Sequence, residues 1–315
     1  MRQSGYRKLK ALFLVSGLPD PRLERDRVFF QILINSIIAG SIYSLFAFGF
    51  TLVFSTLNFF NMSHGIAFTV AAYLSYVLHI KLHLNLPLSF ALSTLLTTVA
   101  MVGMYRMAYY PMRKRGTPGW VFVVGSLGVA AFMEALITFV FGSDLVTLRT
   151  GEVRPGYLIG SAVITQVQLW TLGVSIAVMI VLSLLMKRTK AGKAMRAVAN
   201  DGEMSGIVGI RIERICFFTF GLGAAIMAIA GNLVSMEQDL FPTMGQAALL
   251  KAIVAASIGV SGSIPGALFG GFLLGAVENF GIWHINASWK DGIALVLLIL
   301  FILFRPKFFG TEAEK

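Results

Sequence analysis

Glu134, Lys251 and Glu278 stand inside otherwise apolar runs of this 315-residue sequence. An ionisable group at hydrocarbon depth is costly, so it faces a protein interior or an aqueous path and finds a counter-charge. Two chemistries suit such a set: the lining of a translocation path or proton relay, and an internal ion pair. A relay needs a chain of groups, and these three do not make one. The pattern therefore favours pairing, with Lys251 as the cation. A second polar cluster is Asn58-Phe-Phe-Asn61-Met-Ser63-His64-Gly65. Two amides, a hydroxyl and an imidazole between apolar runs would cost roughly 2–7 kcal/mol each if buried unpaired. The segment reads as a helix break that faces water or protein, and Asn58, Asn61, Ser63, His64 and Gly65 become candidates for the translocation path.

Other chemistries lack their residues. Gly192-Lys193 is followed by Ala194 and lacks the earlier glycine of a phosphate-binding loop, so the chain is not expected to bind a nucleotide by itself. The four histidines (64, 79, 83, 284) do not have metal-ligand spacing. His79 and His83 are four apart near a helix end with no third ligand close in sequence. One cysteine, Cys216, leaves no internal disulfide and no multi-cysteine metal site. No cofactor and no metal are expected on this chain. No nucleophile–base pair suggests an enzyme.

The elements that must carry these residues are membrane helices. The chain is 57% apolar and only 13% charged, with a mean hydropathy of +0.79, whereas a soluble domain is nearer a quarter charged. Apolar runs of about 20 residues recur, each long enough at 1.5 Å per residue to cross a hydrocarbon core of about 30 Å. Candidate crossings are 28–57 (with room for a break), 58–80, 86–110, 119–141, 168–186, 215–236, 247–262, 264–283 and 290–304. The expected fold is an all-α polytopic membrane bundle of about eight to ten transmembrane helices, some broken or short. Gly262, Gly266 and Gly270, followed by Gly271 and Gly275, repeat small residues at a spacing that lets helices approach closely. Residues 1–27 read as a basic N-terminal extension, 28–310 as the membrane domain, and 311–315 as a C-terminal tail. Segment 142–167 is a polar outer loop in which Val163, Ile164 and Val167 suit a short strand or helix.

Between the apolar stretches 168–186 and 215–236 lies a polar island, Lys187 to Arg214. It holds seven Lys or Arg against Asp201, Glu203 and Glu213. With the N-terminus, Arg106, 113–115 and the C-terminus, its side carries 21 of the 26 basic residues, which marks that side as cytoplasmic. The formal charge of +11 is explained this way, without nucleic acid as a partner. Charge favours a cytoplasmic N-terminus, two crossings between 28 and 80 favour an external one, and nine or ten crossings both fit. An island of this length exceeds what a connection needs, and its Ala- and Gly-spaced basic sequence suits short helices that dock on a partner.

Taken together, these residues resemble the permease of branched-chain amino acid ABC importers, in the broad family that also contains sugar permeases. The matching pieces are Gly40-Ser-Ile-Tyr43-Ser-Leu, Asn61-x-x-His64-Gly65, Gly192-Lys-Ala-Met-Arg196-Ala-Val, Gly209-Ile, Gly262-Ser-Ile-Pro-Gly266-Ala and Phe304-Arg305-Pro306, in order from Ile34 to Gly310. Ile66 stands where the family commonly has an acidic residue, and Val260 where a second glycine is usual. The resemblance implies that Gly192, Lys193, Arg196, Asp201 and Gly209 belong to a surface coupled to a cytoplasmic ATPase. It also implies two ATP-binding subunits, a second permease (identical or homologous), an extracytoplasmic solute-binding protein and a bacterial inner membrane. Relatives of this type move urea or short amides as well as branched-chain amino acids. An ion-coupled secondary transporter is the rival that Glu134, Lys251 and Glu278 would favour.

Overall fold

The apolar runs fold as helices. The computed structural model describes residues 21–149, 156–159, 162–259, 264–283 and 286–304. α1 (Pro21–Leu57) is one continuous helix, so the break allowed within 28–57 is absent. After the Asn58–Ser63 turn come α2 (His64–Tyr76), extended by a π turn (Val77–Lys81), and α3 (Leu86–Lys114), which carries a π turn at Tyr105–Tyr109. α4 (Gly119–Phe141) leads to a two-stranded antiparallel hairpin, β1 (Tyr157–Ile159) and β2 (Ala162–Ile164), and then to α5 (Gln166–Arg188). α6 (Lys190–Asn200) and α7 (Gly202–Ile207) are short. α8 (Ile212–Ser235), α9 (Met244–Ile258), α10 (Ile264–Gly281) and α11 (Lys290–Phe304) complete the chain. Among the described residues, five helices are long and apolar enough to cross a membrane: α1, α3, α4, α5 and α8. α9 is a shorter apolar helix.

Two of these helices are interior and three peripheral. α1 from Ser41 to Val53 and α8 from Phe220 to Ser235 are largely buried, whereas α3, α4 and α5 turn large apolar side chains outward, among them Val99, Phe132, Phe139 and Ile180. An apolar outer face is what a bundle in lipid requires, because the hydrocarbon there is as apolar as a core. α8 is tied to α3 by Asn232, whose Nδ2 donates to Phe90 O (3.2 Å), Ser93 Oγ (2.8 Å) and Thr94 Oγ1 (3.1 Å).

Glycines set the closest helix approach. On α10, Gly271 faces the backbone of Ser44 and Gly275 that of Gly40, while Gly266 and Gly270 face α9 at Gly259 and Ala255. A Cβ at Gly40 would stand 2.9 Å from Phe272 Cα, inside any tolerable contact. Ser44 Oγ adds a bond to Leu268 O at 3.0 Å. The stripe is thus two stripes, one for α1 and one for α9. Gly262 lies outside the described residues.

The two ends of the bundle are distinct. At one, Arg113 Nε pairs with Glu213 at 3.0 Å, and Cys216 Sγ sits 4.0 Å from Thr56 O. This basic end therefore holds the last turn of α1 together with the 187–214 island. At the other, Val146 and Leu240 bridge, and Gln31 grips both polar groups of Val163, donating to its carbonyl at 3.0 Å and accepting from its N–H at 2.8 Å. The Arg149 guanidinium bonds Asp239 there at 2.7 Å and holds its carboxyl below the usual carboxylate range. Arg25 and Arg27, one or two turns before Gln31, therefore belong with the end opposite the basic island. Of the two placements open for the N-terminus, the uninterrupted α1 favours the one opposite the basic island.

This arrangement fixes a labelling pattern. Cysteines in place of Asp26 and Glu203, both exposed, should react with an impermeant thiol reagent from opposite faces of the membrane; native Cys216 is buried and should stay silent. Labelling of both from one face would refute the α1 orientation.

Candidate functional site

Two regions gather the chemistry. The first is the basic island. Thr189 ends α5 and caps α6, its hydroxyl accepting from Gly192 N at 3.0 Å; Asp201 caps α7, accepting from Met204 N at 2.9 Å. Gly192 lies against the backbone of Leu185 and Met186, where a Cβ has no room, and the Arg196 guanidinium donates to Met186 O. Met195 and Val198 are buried beneath α6 and seat it against α1, α5 and α8. Gly209 has φ +89°, a conformation that favours glycine, and it turns the chain from α7 toward α8. Lys193, Arg196 and Asp201 are exposed. Gly192 therefore positions α6 from below, while Lys193 and Arg196 show charge on its surface. The tip of the island is apolar: Met204, Ile207 and Val208 are 57%, 79% and 72% exposed. Their i, i+3, i+4 spacing is the signal that sequence reading passed over.

The second region is a cavity of about 270 Å³ toward the opposite end, between α1, α2, α9, α10 and the start of α11. Ile38, Ile42, Phe46, Phe68, Phe241 and Met244 form its apolar wall, and Tyr43, Glu237, Lys251 and Lys290 its polar one. Behind that wall is fully buried Glu278. Tyr43 donates to it at 2.6 Å, while the Lys251 and Lys290 ammonium groups stand at 3.7 and 3.8 Å. Lys251 also meets exposed Asp291 at 3.1 Å. The expected internal pairing of Lys251 with a carboxylate is thus present. Glu134 departs from its expectation of burial: it is half-exposed on α4 and accepts from Gln246 Nε2 at 2.6 Å. Periodicity within an apolar run does not tell which face meets lipid.

The Asn58–Gly65 segment turns the chain at the basic half of the bundle. Asn58 takes φ +57°, a left-handed residue that ends α1. Asn61 Oδ1 accepts from Ser63 Oγ (2.8 Å), Ser63 N (3.2 Å) and Tyr109 OH (3.2 Å), and Met62 N donates to Ser126 Oγ at 2.9 Å. Asn61, Ser63, His64 and Gly65 are buried in protein, Asn58 is exposed, and none of them lines the cavity. Gly65 instead meets Gly245 at the start of α9, so the segment seats two helices that carry cavity residues Phe68 and Met244.

The family model for the branched-chain amino acid transport system permease component matches residues 32–302. The chain belongs to that family. It is 32% identical over 293 residues to the high-affinity branched-chain amino acid transport system permease protein BraD of Pseudomonas aeruginosa, covering 88% of this chain and 94% of that protein. It is 30% identical over 296 residues to LivH of Escherichia coli K12, a permease of the same description, covering 90% and 96%. A probable LivH of Methanocaldococcus jannaschii is 24% identical over 292 residues, covering 88% and 90%. The chain is thus a multi-pass permease subunit of an ABC importer, a transport component and not an enzyme.

The ion cluster of this permease makes a double-mutant prediction. Lys251→Met removes the nearest cation from a fully buried carboxylate and should cost up to about 3–5 kcal/mol of stability. Adding Glu278→Gln should recover most of that loss in thermal denaturation of the purified protein. Losses that simply add would show that the two groups are not coupled.

Proposed function

We propose that this permease forms half of an inner-membrane pathway for branched-chain amino acids, driven by ATP-binding subunits that dock on the α6–α7 island. A second permease, identical or homologous, would supply the other half, and an extracytoplasmic binding protein would deliver the solute. The observation that carries this reading is the exposed Met204, Ile207 and Val208 tip. Large apolar groups outside lipid, rimmed by Glu203, Arg211 and Arg214, mark a protein contact. Lys193, Arg196 and Asp201 give the same face its charge. Closure of the ATP-binding subunits would displace α7 and, through the Gly192 and Arg196 seat, α6. α6 rests on α1 and α8, the helices at the centre of the bundle, so the displacement would reach the pathway. In this scheme the Asn58–Gly65 turn is a pivot of the path, coupling α1 to α2 and, through Gly65, to α9. Urea or short amides are the other solutes that the same architecture would suit.

Reconstituted with its partners, the importer should take up branched-chain amino acids only with ATP, and uptake should survive collapse of the proton gradient. Ile207→Asp with Val208→Asp should lower uptake by about tenfold or more, as loss of an interface hot spot does, with normal membrane insertion. Gradient-driven uptake by this chain alone would instead support an ion-coupled transporter.

A further inference from the structure

We propose that the cavity between α1, α9 and α11 is a transit site for a single zwitterionic aliphatic amino acid, its carboxylate held by Lys290 and its ammonium by Glu237. The assignment rests on the reading of the chain as an amino acid permease and adds to it a binding site within the membrane subunit.

Charge satisfaction points to such a ligand. Lys251 and Lys290 stand 3.7 and 3.8 Å from Glu278, beyond the roughly 2.7–2.9 Å of a charge-assisted hydrogen bond. Glu278 already accepts from Tyr43 at 2.6 Å. Lys251 is committed, to Asp291 at 3.1 Å and to the Tyr43 hydroxyl at 3.2 Å, whereas Lys290 meets only Glu278 among the described residues and lines the cavity with donors left over. Glu237, at the end of α8, has the opposite deficit: its Oε1 is shut off from solvent and has no hydrogen-bond partner among the described residues. A lone anion would answer Lys290 and leave Glu237, and a lone cation would do the reverse. A zwitterion answers both without adding net charge. Across the cavity, Ile42, Phe46, Phe68 and Met244 offer an apolar surface for a branched side chain. A volume of about 270 Å³ suits one small molecule. Urea and short amides carry no ammonium for Glu237 and no chain for the apolar wall.

The test uses the complete importer in proteoliposomes, with Ala247→Cys as a reporter because Ala247 is half-buried and lines the cavity. A small hydrophilic thiol reagent should modify this cysteine. Millimolar leucine should protect it, whereas 4-methylpentanoate (no ammonium) and isopentylamine (no carboxylate) should not. Glu237→Gln and Lys290→Gln should each abolish the protection and lower leucine uptake by about tenfold or more, while Lys290→Arg retains both; assembly with the ATP-binding subunits excludes misfolding as the cause. Leucine uptake and protection at wild-type level in both glutamine variants would overturn the transit site and leave the permease reading intact. Equal protection by 4-methylpentanoate would overturn the role of Glu237. An importer that moves no amino acid, with or without substitutions, would instead refute the proposed function itself.

Discussion

The contact of α10 with α1 is the constraint on which the rest of the structure depends. Lipid offers no hydrophobic drive for one apolar helix to leave it for another, so association relies on close packing and on polar groups paired between helices. Here the packing comes from Gly40, Gly271 and Gly275, and the pairing from Ser44 with the Leu268 carbonyl. The other glycine face of α10 brings in α9. Lys251 on α9, Glu278 on α10 and Tyr43 on α1 then fall together, and the cavity forms where those three helices meet the chain from Glu237 to Met244. A larger residue at Gly271 or Gly275 would separate the helices and scatter the ion cluster with them.

The buried charges follow the same logic. Glu278 is fully enclosed and is tolerated because a phenol and two ammonium groups converge on it. Lys251 is spent on Asp291 and Tyr43, while Lys290 is held 3.8 Å from Glu278, beyond hydrogen-bonding distance, and stays available at the cavity surface. Polar groups away from the cavity are paired in part. The Asn61 carbonyl, Ser63, Tyr109 and Ser126 bond one another or the local backbone, and Asn232 is spent on α3, while Asn61 Nδ2 and His64 Nε2 are buried without a partner among the described residues.

Much of this was legible in the residue pattern. Runs of apolar residues marked the helices, Lys251 found a buried carboxylate, the Asn58–Ser63 cluster broke a helix, and the polar island folded as two short helices. Each of these is a local property or a forced pairing. Glu134 was misjudged because an apolar run does not reveal which face a residue occupies. The side of the N-terminal charge stayed open, because a charge count does not see that α1 runs uninterrupted. The cavity could not be read at all, since its lining comes from elements as distant in sequence as Asn35 and Lys290. Met204, Ile207 and Val208 were readable by their spacing, but three apolar residues in a basic island do not stand out until their exposure is known.

The central claim is that energy enters this permease through the α7 tip. A photo-reactive amino acid at Val208, irradiated in native membranes, measures this most directly. The account predicts a covalent adduct with the ATP-binding subunit of the importer, whose yield changes when ATP is trapped, and no such adduct from the same group at Phe139 on the outward face of α4. An adduct with the ATP-binding subunit from Phe139 and none from Val208 would contradict it.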